Sequence, residues 1–510
     1  MIEQVLKIDN QIVDIDDKSA IGIDFQAYSV KEPASRFVPV SNNISLPKTA
    51  RNLKILGFAG DPQSAYSTVY DQLLCDYTVS NHTIINKGIA NISSVSKNRI
   101  KMFASGREGI WQRLKNDSWI QFQADFIQWM QDNKGLPSGD NTFSGTFSDF
   151  IDPYTDSTTG IILPMYVGNL YLAETDPETI GVMKLQTNES LGGHFCVYVK
   201  TIFEFIEDFY GVDFSVLDTF DYNIFDDSIA QGMYVSLRNL QCVHADSNTH
   251  YFRFTDSVPF LPEADVSIDK EDKTLYDFVM SFMQHFNCLV DRVYQSDGTL
   301  KYKLRRFDDI NNAEIVTWNK GIGDYVFMPK IKGWKQNNYI KWSDIYEGGS
   351  SLVNSKYVQC KNENIEAGTA EDALFTIGGY IPNQLRDGDT FMNLSDANSF
   401  NNFTFMISSE LFSTQIDSET ASTSVSATKL LNKAVLYSLD SEYNTLASMM
   451  EYPVYYDSDK WFNFQELINL EYFKRYKIPE LGGEFFLNKI SNYNPSGDIK
   501  PTKIELIKIQ

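Results

Sequence analysis

One stretch of the 510-residue chain, residues 273–342, constrains the fold more than any other, because a helical period is followed there by a strand period. Its first part places apolar side chains on one face of a helix, recurring every three or four residues. These apolar positions are Leu275, Phe278, Val279, Phe282 and Phe286. Thr274 and Asp277 have the residue types and spacing of a capping box, so the pattern predicts a helix that begins directly after Thr274.

After Asn287 the pattern changes to the alternation that is typical of strands. Residues 289–294 and 300–306 form two such runs, and Asp297-Gly298 between them suits the positive φ angles of a tight turn. The sequence therefore predicts a hairpin that shares a buried face with the helix. A short connection then leads to a third extended run, residues 331–342, whose aromatic side chains favour a half-buried strand. We interpret the whole stretch as a small α/β module.

Length and composition place the chain among folded proteins with several domains. At 510 residues it is too long for one hydrophobic core, and 43% hydrophobic with 14% aromatic residues argue against disorder. The first residues, Met1 to Val5, lack the basic start and apolar core of a signal peptide. No apolar run has the length needed to span a bilayer. The sequence thus predicts a soluble product that is made in the cytoplasm.

The charge balance argues against tight binding of nucleic acid. Lys and Arg total 44 against 67 for Asp and Glu, which gives a net charge of -23 and a pI near 4.6. A phosphate backbone would be repelled by this field, so affinity for DNA is not expected. A wall along which DNA slides without sticking is compatible with the same charge.

Periodicity along the chain predicts a β-rich α+β protein in which β-barrel-like domains alternate with small α/β modules, each a helix plus a hairpin. The predicted division has five parts. They are residues 1–107, an N-terminal β-barrel-like domain; 108–160, a Trp-rich insertion with an exposed loop; 161–260, a first α/β module with strands; 261–345, the second α/β module; and 346–510, a C-terminal β-rich domain.

A second capped helix is predicted to begin at Thr201, where Glu204 occupies the matching third position, and to end at Gly211. Its inward face is predicted to contain Ile202, Phe205, Ile206 and Phe209. The resemblance of its design to that of the helix after Thr274 suggests a pseudo-repeat of helix-then-strand modules.

Residues with metal-binding or nucleophilic side chains do not form a recognisable motif. The five cysteines are odd in number and never form a C-x-x-C pair, which favours buried free thiols. They are Cys75, Cys196, Cys242, Cys288 and Cys360. The nearest approach to a cluster is Cys242, His244 and His250, with His194 and Cys196 elsewhere, and its spacing fits no zinc pattern. We interpret these five residues as scattered strand positions.

An acidic run interleaved with aromatic residues is the other candidate for binding chemistry. Its carboxylates are Asp213, Asp218, Asp221, Asp226 and Asp227. Such a run could hold calcium or contact a sugar ring, but no calcium-loop spacing is present, and the pattern favours a solvated edge. Gly192-Gly193-His194 and Gly378-Gly379-Tyr380 are interpreted as turns. The sequence therefore predicts no catalytic, cofactor-binding or metal site, no cofactor and no enzymatic activity.

Three short segments carry a resemblance to a known family. Residues 44–52 contain a strand followed by Pro47, Thr49 and Asn52; residues 336–342 read QNNYIKW; and residues 485–490 with 503–509 form two closing strands. These segments resemble those of the tail-tip, or baseplate hub, proteins of tailed phages and related prophages. They touch both ends and the middle of the chain.

The resemblance implies a structural virion protein that joins the tail tube to tip or receptor-binding proteins and encloses the DNA exit channel. It implies a homo-oligomer, a trimeric ring, whose partners are the tube, tip and fibre proteins of the tail and through which DNA passes without specific binding. Two β-barrel-like domains and two α/β modules would build each subunit. The implied location is the virion tail, assembled in the host cytoplasm.

Two other functions remain open at this point. One is a distal tail or ring protein of the same particle, and the other is a secreted or surface β-protein that binds or cleaves carbohydrate. The lack of a signal peptide disfavours the second. Two segments depart from the family pattern, the Trp-rich residues 111–129 and the hydroxyl-rich residues 418–426, and either could contact neighbouring tail proteins.

Overall fold

The structure is a computed structural model, and the parts of the chain that it describes are interrupted by gaps. The described residues are 3–16, 21–30, 33, 40–59, 71, 73–105, 114–119, 122–134, 143–144, 161–162, 170–172, 182–185, 194–246, 249–254, 273–295, 300–318, 322–328, 334–343, 355–380, 405–418, 426–435, 442–495 and 501–510. No helix among them is both long and apolar enough to cross a membrane.

The helices are α1 (Ala50–Ile55), α2 (Phe122–Lys134), α3 (Val199–Phe205), α4 (Ser228–Gln231), α5 (Leu275–His285), α6 (Asn444–Glu451) and α7 (Phe464–Ile468), with a π-helical segment at Ile206–Tyr210 and 3₁₀ turns at Ile224–Asp226 and Phe307–Asn312. The strands up to the first hairpin are β1 (Gln4–Ile8), β2 (Gln11–Ile12), β3 (Ile21–Phe25), β4 (Val40–Pro47), β5 (Leu73–Val79), β6 (His82–Val95), β7 (Arg99–Ser105), β8 (Phe143–Ser144), β9 (Ile161–Ile162), β10 (Leu170–Leu172), β11 (Val182–Leu185), β12 (His194–Tyr198), β13 (Met233–Asp246), β14 (Thr249–Phe254), β15 (Cys288–Tyr294) and β16 (Leu300–Arg306). The later strands are β17 (Ile315–Thr317), β18 (Ile322–Met328), β19 (Lys335–Ser343), β20 (Ser355–Gln359), β21 (Glu366–Thr369), β22 (Phe375–Tyr380), β23 (Phe405–Ser418), β24 (Ser426–Val435), β25 (Tyr455–Lys460), β26 (Arg475–Ile478), β27 (Gly483–Tyr493) and β28 (Thr502–Lys508).

The largest sheet joins the two ends of the chain. Thirteen of the described strands form it, in the order β18-β25-β28-β27-β3-β4-β7-β6-β5-β1-β2, with β26 and β17 attached beside β27. The sheet is antiparallel apart from the β17–β26 pair, and it curls into a half-barrel. Since β27 pairs with β3, strands of the first and last predicted segments lie side by side. The protein is a β-rich α+β fold, as predicted, while the five-part division of the chain stays a prediction.

Three smaller sheets complete the described strands. Nine strands form the second sheet, centred on β13 and β23; β15 and β16 form a hairpin; and β19 pairs with β20, β21 and β22. Strands β23 and β24 pair with each other on either side of the predicted hydroxyl-rich loop, whose residues 419–425 lie outside the described part.

The helix and the hairpin of the predicted α/β module are both confirmed, as α5 and as the pair β15–β16. Thr274 Oγ1 accepts a hydrogen bond from the amide of Asp277 at 3.2 Å, and Asp277 Oδ2 accepts from the amide of Thr274 at 2.9 Å, which is a complete capping box. Strands β15 and β16 pair along their whole length. Residues 296–299, with the predicted turn at Asp297-Gly298, lie outside the described part.

Two details of this module differ from the prediction. The connection before the third strand is not short, because it contains a 3₁₀ turn and strands β17 and β18, both of which join the largest sheet. The third strand, β19, belongs to a different sheet from the hairpin. Helix α5 is also buried on more than one face, since Ser281, Met283 and His285 are buried besides the predicted apolar face.

The helix that was predicted to begin at Thr201 differs most from its prediction. Helix α3 begins at Val199, two residues before the predicted cap, and Tyr198 precedes it without a side-chain cap. It then widens into the π-helical segment and ends at Gly211, whose φ of 68° is the left-handed conformation that glycine adopts readily. The wider π turn shifts the helical phase, so Phe209 lies 47% exposed instead of inward.

The Trp-rich segment is part of the core where it is described. Trp119 stacks on Phe278 of α5 with ring centroids 5.0 Å apart, and Phe126 of α2 meets Phe205 edge-on at 5.3 Å. Trp119, Phe122 and Phe126 are all buried. Their aromatic rings therefore fill space between helices and are not available to partners. Trp111 and most of the predicted loop at 138–148 lie outside the described residues.

Candidate functional site

A buried asparagine explains the first of the three family-like segments. Asn52 of α1 is 0% exposed, and its Oδ1 accepts from the amide of Asp14 at 2.7 Å. Its Nδ2 donates to the carbonyls of Asp14 at 3.0 Å and of Pro47 at 2.9 Å. Thr49 caps the helix through the amide of Asn52 and also donates to Asp14 Oδ2 at 2.6 Å. The segment ties the end of β4 to a distant loop, which is a structural role.

The other two segments contain buried asparagines of the same kind. Asn338 of β19 is fully buried and exchanges hydrogen bonds with the backbone of Lys335, at 3.0 and 2.6 Å. Asn488 of β27 accepts from the amide of Val30 at 3.0 Å and donates to Glu505 at 3.1 Å. A buried amide that satisfies backbone groups rigidifies its surroundings, and removing it would leave those groups unpaired. In each of the three segments, therefore, a buried asparagine side chain links parts of the backbone through hydrogen bonds.

A network of buried charges joins the hairpin to later and earlier parts of the chain. Arg306 donates to Asp227 at 2.8 Å and also pairs with Glu442, which is 0% exposed. Arg305 lies 3.7 Å from Asp291, with the two side chains only 9% and 0% exposed. Burial raises the pKa of Asp291 to about 6, although Arg305 and the amide of Tyr472 favour the ionised form. Such pairs are costly to break from one side.

Helix α6 is held by a carboxylate from the hairpin region. Asp308 accepts from the amides of Asn444 at 2.8 Å and Thr445 at 3.1 Å, at the positive end of the helix. Burial raises the pKa of Asp308 to about 6 against the opposing effect of these two hydrogen bonds. Asp308 therefore replaces the local cap that Tyr443, with a φ of 65°, does not supply.

The acidic run is paired with the basic strand β16 and is not simply a solvated edge. Lys301 Nζ lies 3.2 Å from Asp213 and 2.8 Å from Asp218, both of which are partly exposed. Asp227 caps α4 through the amides of Ile229 and Ala230 besides its contact with Arg306. The partner strand follows 83 residues after Asp218, so local spacing could not reveal it. No group of three or more His, Cys, Asp or Glu in the described ranges is arranged to hold a metal ion.

The scattered His and Cys positions are strand residues, as predicted. Cys242 and His244 lie on β13, and the backbone of His244 pairs with that of His250 on β14. His194 and Cys196 lie on β12, which also pairs with β13. Among cysteines whose side chains are described, Cys75, Cys288 and Cys360 are buried thiols, and burial raises the pKa of Cys75 and of Cys360 to about 12.

The prediction of a turn at Gly378-Gly379 is wrong. Both glycines lie within β22, where Ile377 pairs with Trp342 and Tyr380 pairs with Ser343. The two glycines are the extra residues of a bulge, a place in strands where glycine is common. Gly192-Gly193 lies outside the described residues.

Two features were missed at the level of sequence. Strand β18 forms one edge of the largest sheet, and its central residues Tyr325, Val326 and Phe327 are 53%, 62% and 49% exposed. Glu207, in the π-helical segment, accepts from the amide of Val216 at 2.9 Å, and burial raises its pKa to about 7. The β-branched and aromatic side chains of residues 325–328 could have indicated the strand, but the exposure of a strand depends on its neighbours.

Comparisons with known proteins give structural similarity alone. No family model matches the chain, and no curated protein matches it. The solved 43 kDa tail protein of prophage MuSo2 from Shewanella oneidensis is similar over 99% of this chain and 98% of that chain, with 10% identity and a TM-score of 0.35. Prophage tail protein gp18 from Listeria monocytogenes EGD-e is similar over 99% and 94%, with 7% identity and a TM-score of 0.33. The tail protein from Neisseria meningitidis MC58 is similar over 100% and 96%, with 7% identity and a TM-score of 0.27.

Proposed function

We propose that this protein is a structural virion protein, the hub of a bacteriophage tail tip or baseplate. In this role it joins the tail tube to tip or receptor-binding proteins, forms a trimeric ring with two further copies and encloses the channel through which DNA leaves. It acts without catalytic turnover, and it belongs to the tail of a particle assembled in the host cytoplasm.

The observation that carries the proposal is the open edge of the largest sheet. Within the described residues β18 pairs only with β25, so its other side offers unpaired backbone groups. Natural proteins usually protect such edges with charges, bulges, proline or very short strands. In β18 the bulge and the charge of Asp324 are confined to its first half, and Tyr325, Val326 and Phe327 after them are exposed and apolar. Tyr325 and Phe327 both pack on Tyr456 of β25, with centroids 5.5 and 5.6 Å apart. The edge suits addition of a strand from a neighbour.

The roles of the three family-like segments support the same proposal. Asn52, Asn338 and Asn488 each cross-link backbone within the fold, as a rigid scaffold requires. Among the carboxylates whose pKa burial raises, Glu207, Asp291 and Asp308 each accept a backbone hydrogen bond inside the fold. These buried carboxylates therefore have a structural role within the fold.

The net charge of -23 suits a channel for DNA in transit. Carboxylates on the wall of a ring would repel phosphate and so prevent adhesion of the passing duplex. Acidic residues are therefore expected to concentrate on the concave face of the ring, and a basic lumen would contradict this part of the proposal. Because self-repulsion is screened by salt, isolated subunits should associate more readily as salt rises.

Sedimentation combined with electron microscopy of the purified chain tests the assembly. We expect closed rings or ring precursors at high salt, and Val326→Lys to prevent their formation while leaving circular dichroism and thermal unfolding unchanged. Leu217→Lys is the matched control, because Leu217 is 70% exposed but belongs to no strand of the largest sheet, and it should assemble like the wild type. Equal assembly of both variants would show that the β18 edge is not the contact. Release of sugars from bacterial polysaccharides, abolished by one carboxylate substitution, would overturn the structural role.

A further inference from the structure

Arg292 is a buried cation without a charged partner. It lies on β15 and is 7% exposed. Its Nη2 donates to the hydroxyl of Tyr294 at 2.9 Å and to the carbonyl of Ile84 at 3.3 Å, and both acceptors are neutral. The rings of Phe25 and Tyr294 lie 5.7 and 5.5 Å from its Cζ. Arg292 makes no ion pair with any residue that the structure describes.

Arg305, on the other strand of the same hairpin, has the carboxylate partner that Arg292 lacks within the described part of the chain. Arg305 has the same exposure, 7%, but it lies beside the buried carboxylate of Asp291. Asp24, another carboxylate of this region, is paired with Lys489 at 3.2 Å. Buried charges in proteins normally have a partner of opposite charge, because an isolated ion loses its hydration and gains no interaction that offsets the desolvation cost. Arg292 is therefore the member of this group without an ion pair among the described residues, although Asp291 and Asp24 both act electrostatically on Tyr472 nearby.

A small cavity lies directly against this guanidinium. Its volume is about 20 Å³, which is room for one water-sized species. Arg292, Tyr294 and Tyr472 line it together with apolar side chains of Phe25, Ile84, Leu467, Ile468 and Leu470. Two buried polar atoms of this lining have no hydrogen-bond partner in the protein, Arg292 Nε and the hydroxyl oxygen of Tyr472. Both can donate a hydrogen bond.

We propose that this cavity binds one monatomic anion of the size of chloride. A chloride ion accepts from Arg292 Nε and from the Tyr472 hydroxyl, and it neutralises the guanidinium. A water molecule could occupy the same volume and donate to a tyrosine hydroxyl, but it would leave the guanidinium without an anionic partner.

The anion would link parts of the chain that are distant in sequence. Phe25 belongs to β3, Arg292 to the hairpin, and Tyr472 follows helix α7, whose last turn also lines the cavity. An anion that binds only the folded state stabilises it according to its concentration and dissociation constant. Thermal stability should therefore depend on the identity of the anion at constant ionic strength.

Crystals of the full chain grown with sodium bromide give the direct test. We expect an anomalous bromide peak within hydrogen-bond distance of Arg292 Nε and the Tyr472 hydroxyl. Density for an ordered water at that position, without a bromide peak, would overturn the proposal and assign the cavity to a structural water.

Thermal unfolding in sodium chloride against sodium gluconate, at equal ionic strength, gives the second test. The wild type should unfold at higher temperature in chloride, and Tyr472→Phe should lose this difference. Tyr476→Phe is the matched control, because Tyr476 is also buried but its hydroxyl donates to the carbonyl of Glu471 at 2.6 Å, and it should keep the difference. A chloride effect that survives in Tyr472→Phe would contradict the site. If Tyr472→Phe does not fold, the bromide map of the wild type decides alone.

Discussion

Helices α3 and α5 have similar sequences at their starts but different structures. Each has a threonine followed three residues later by an acid, Thr201 with Glu204 and Thr274 with Asp277. In α5 these residues form the capping box. In α3 the threonine lies inside the helix and is buried, while Glu204 pairs with Lys134 of α2 at 2.5 Å.

The difference comes from what precedes each helix. The backbone of Thr274 forms an isolated bridge with Ser118, and the amide of Leu275 donates to the carbonyl of Asp117, but the amide of Asp277 is left for the Thr274 side chain to bind. Helix α3 follows strand β12 directly, and Tyr198, the last residue of that strand, already precedes the first helical residue. Pairing of β12 with β13 places the helix start, and the downstream threonine has no free end to cap. A capping pattern therefore marks a helix start only where the preceding strand does not already end closer to the helix, as β12 does before α3.

The largest expected difference in stability is between removing an aromatic ring from α5 and removing one from the π-helical segment that follows α3. Phe282→Ala should cost about 3 to 5 kcal/mol of unfolding free energy, because Phe282 of α5 is fully buried among Phe203, Phe225 and Phe286. Phe209→Ala in the π-helical segment should cost about 1 kcal/mol or less, since that ring is half exposed and stacks mainly on Phe205. Denaturant unfolding measures both. Equal losses would mean that the two faces do not differ in burial.

A smaller effect tests the caps themselves. Thr274→Ala should cost about 1 kcal/mol, since it removes an acceptor for the amide of Asp277. Glu204→Gln should cost about 0.5 kcal/mol, because it weakens only the ion pair with Lys134. Chemical denaturation of the two variants in parallel with the wild type is the measurement. A larger loss for Glu204→Gln would show that α3 depends on its acid more than α5 depends on its cap.

A further test of the same comparison concerns pH and the π-helical segment. Because burial raises the pKa of Glu207 from 4.5 to about 7, the folded state binds a proton more tightly than the unfolded state does. The contribution of Glu207 to stability is therefore greatest at low pH and falls as pH rises from about 4.5 to about 7. Asp213 and Lys301 also face this carboxyl, and they act in opposite directions.

Glu207→Gln should remove this part of the pH dependence and should be more stable than the wild type above pH 7, since the amide oxygen can still accept from Val216. Thermal unfolding between pH 5 and pH 8 measures the difference between the two proteins. An unchanged slope would show that Glu207 titrates at its ordinary pKa. Asp291 and Asp308 contribute in the same direction in both proteins, so the comparison cancels them.

Elements with local determinants could be predicted from the sequence, and those with distant partners could not. The capping box of α5, the hairpin and the closing strands β27 and β28 follow from residues within a few positions of each other. The pairing of Lys301 with Asp218, the cap that Asp308 places on α6 and the exposure of β18 depend on segments that the fold brings together. Asn52, Asn338 and Asn488 lie within the family-like segments, but neither their burial nor their hydrogen bonds could be predicted from the residues around them.

The pairing of β3 with β27 has a consequence for synthesis of the protein in the cell. The amide of Val30 can form its hydrogen bond only after Asn488, 458 residues later in the chain, has been synthesised. At a translation rate of about 5 to 20 residues per second, that delay is on the order of 20 to 90 s. During this time the apolar strands at the beginning of the chain lack one neighbour of their final sheet, and long-range pairing of this kind folds slowly. The nascent chain is therefore expected to depend on chaperones until its last strands leave the ribosome.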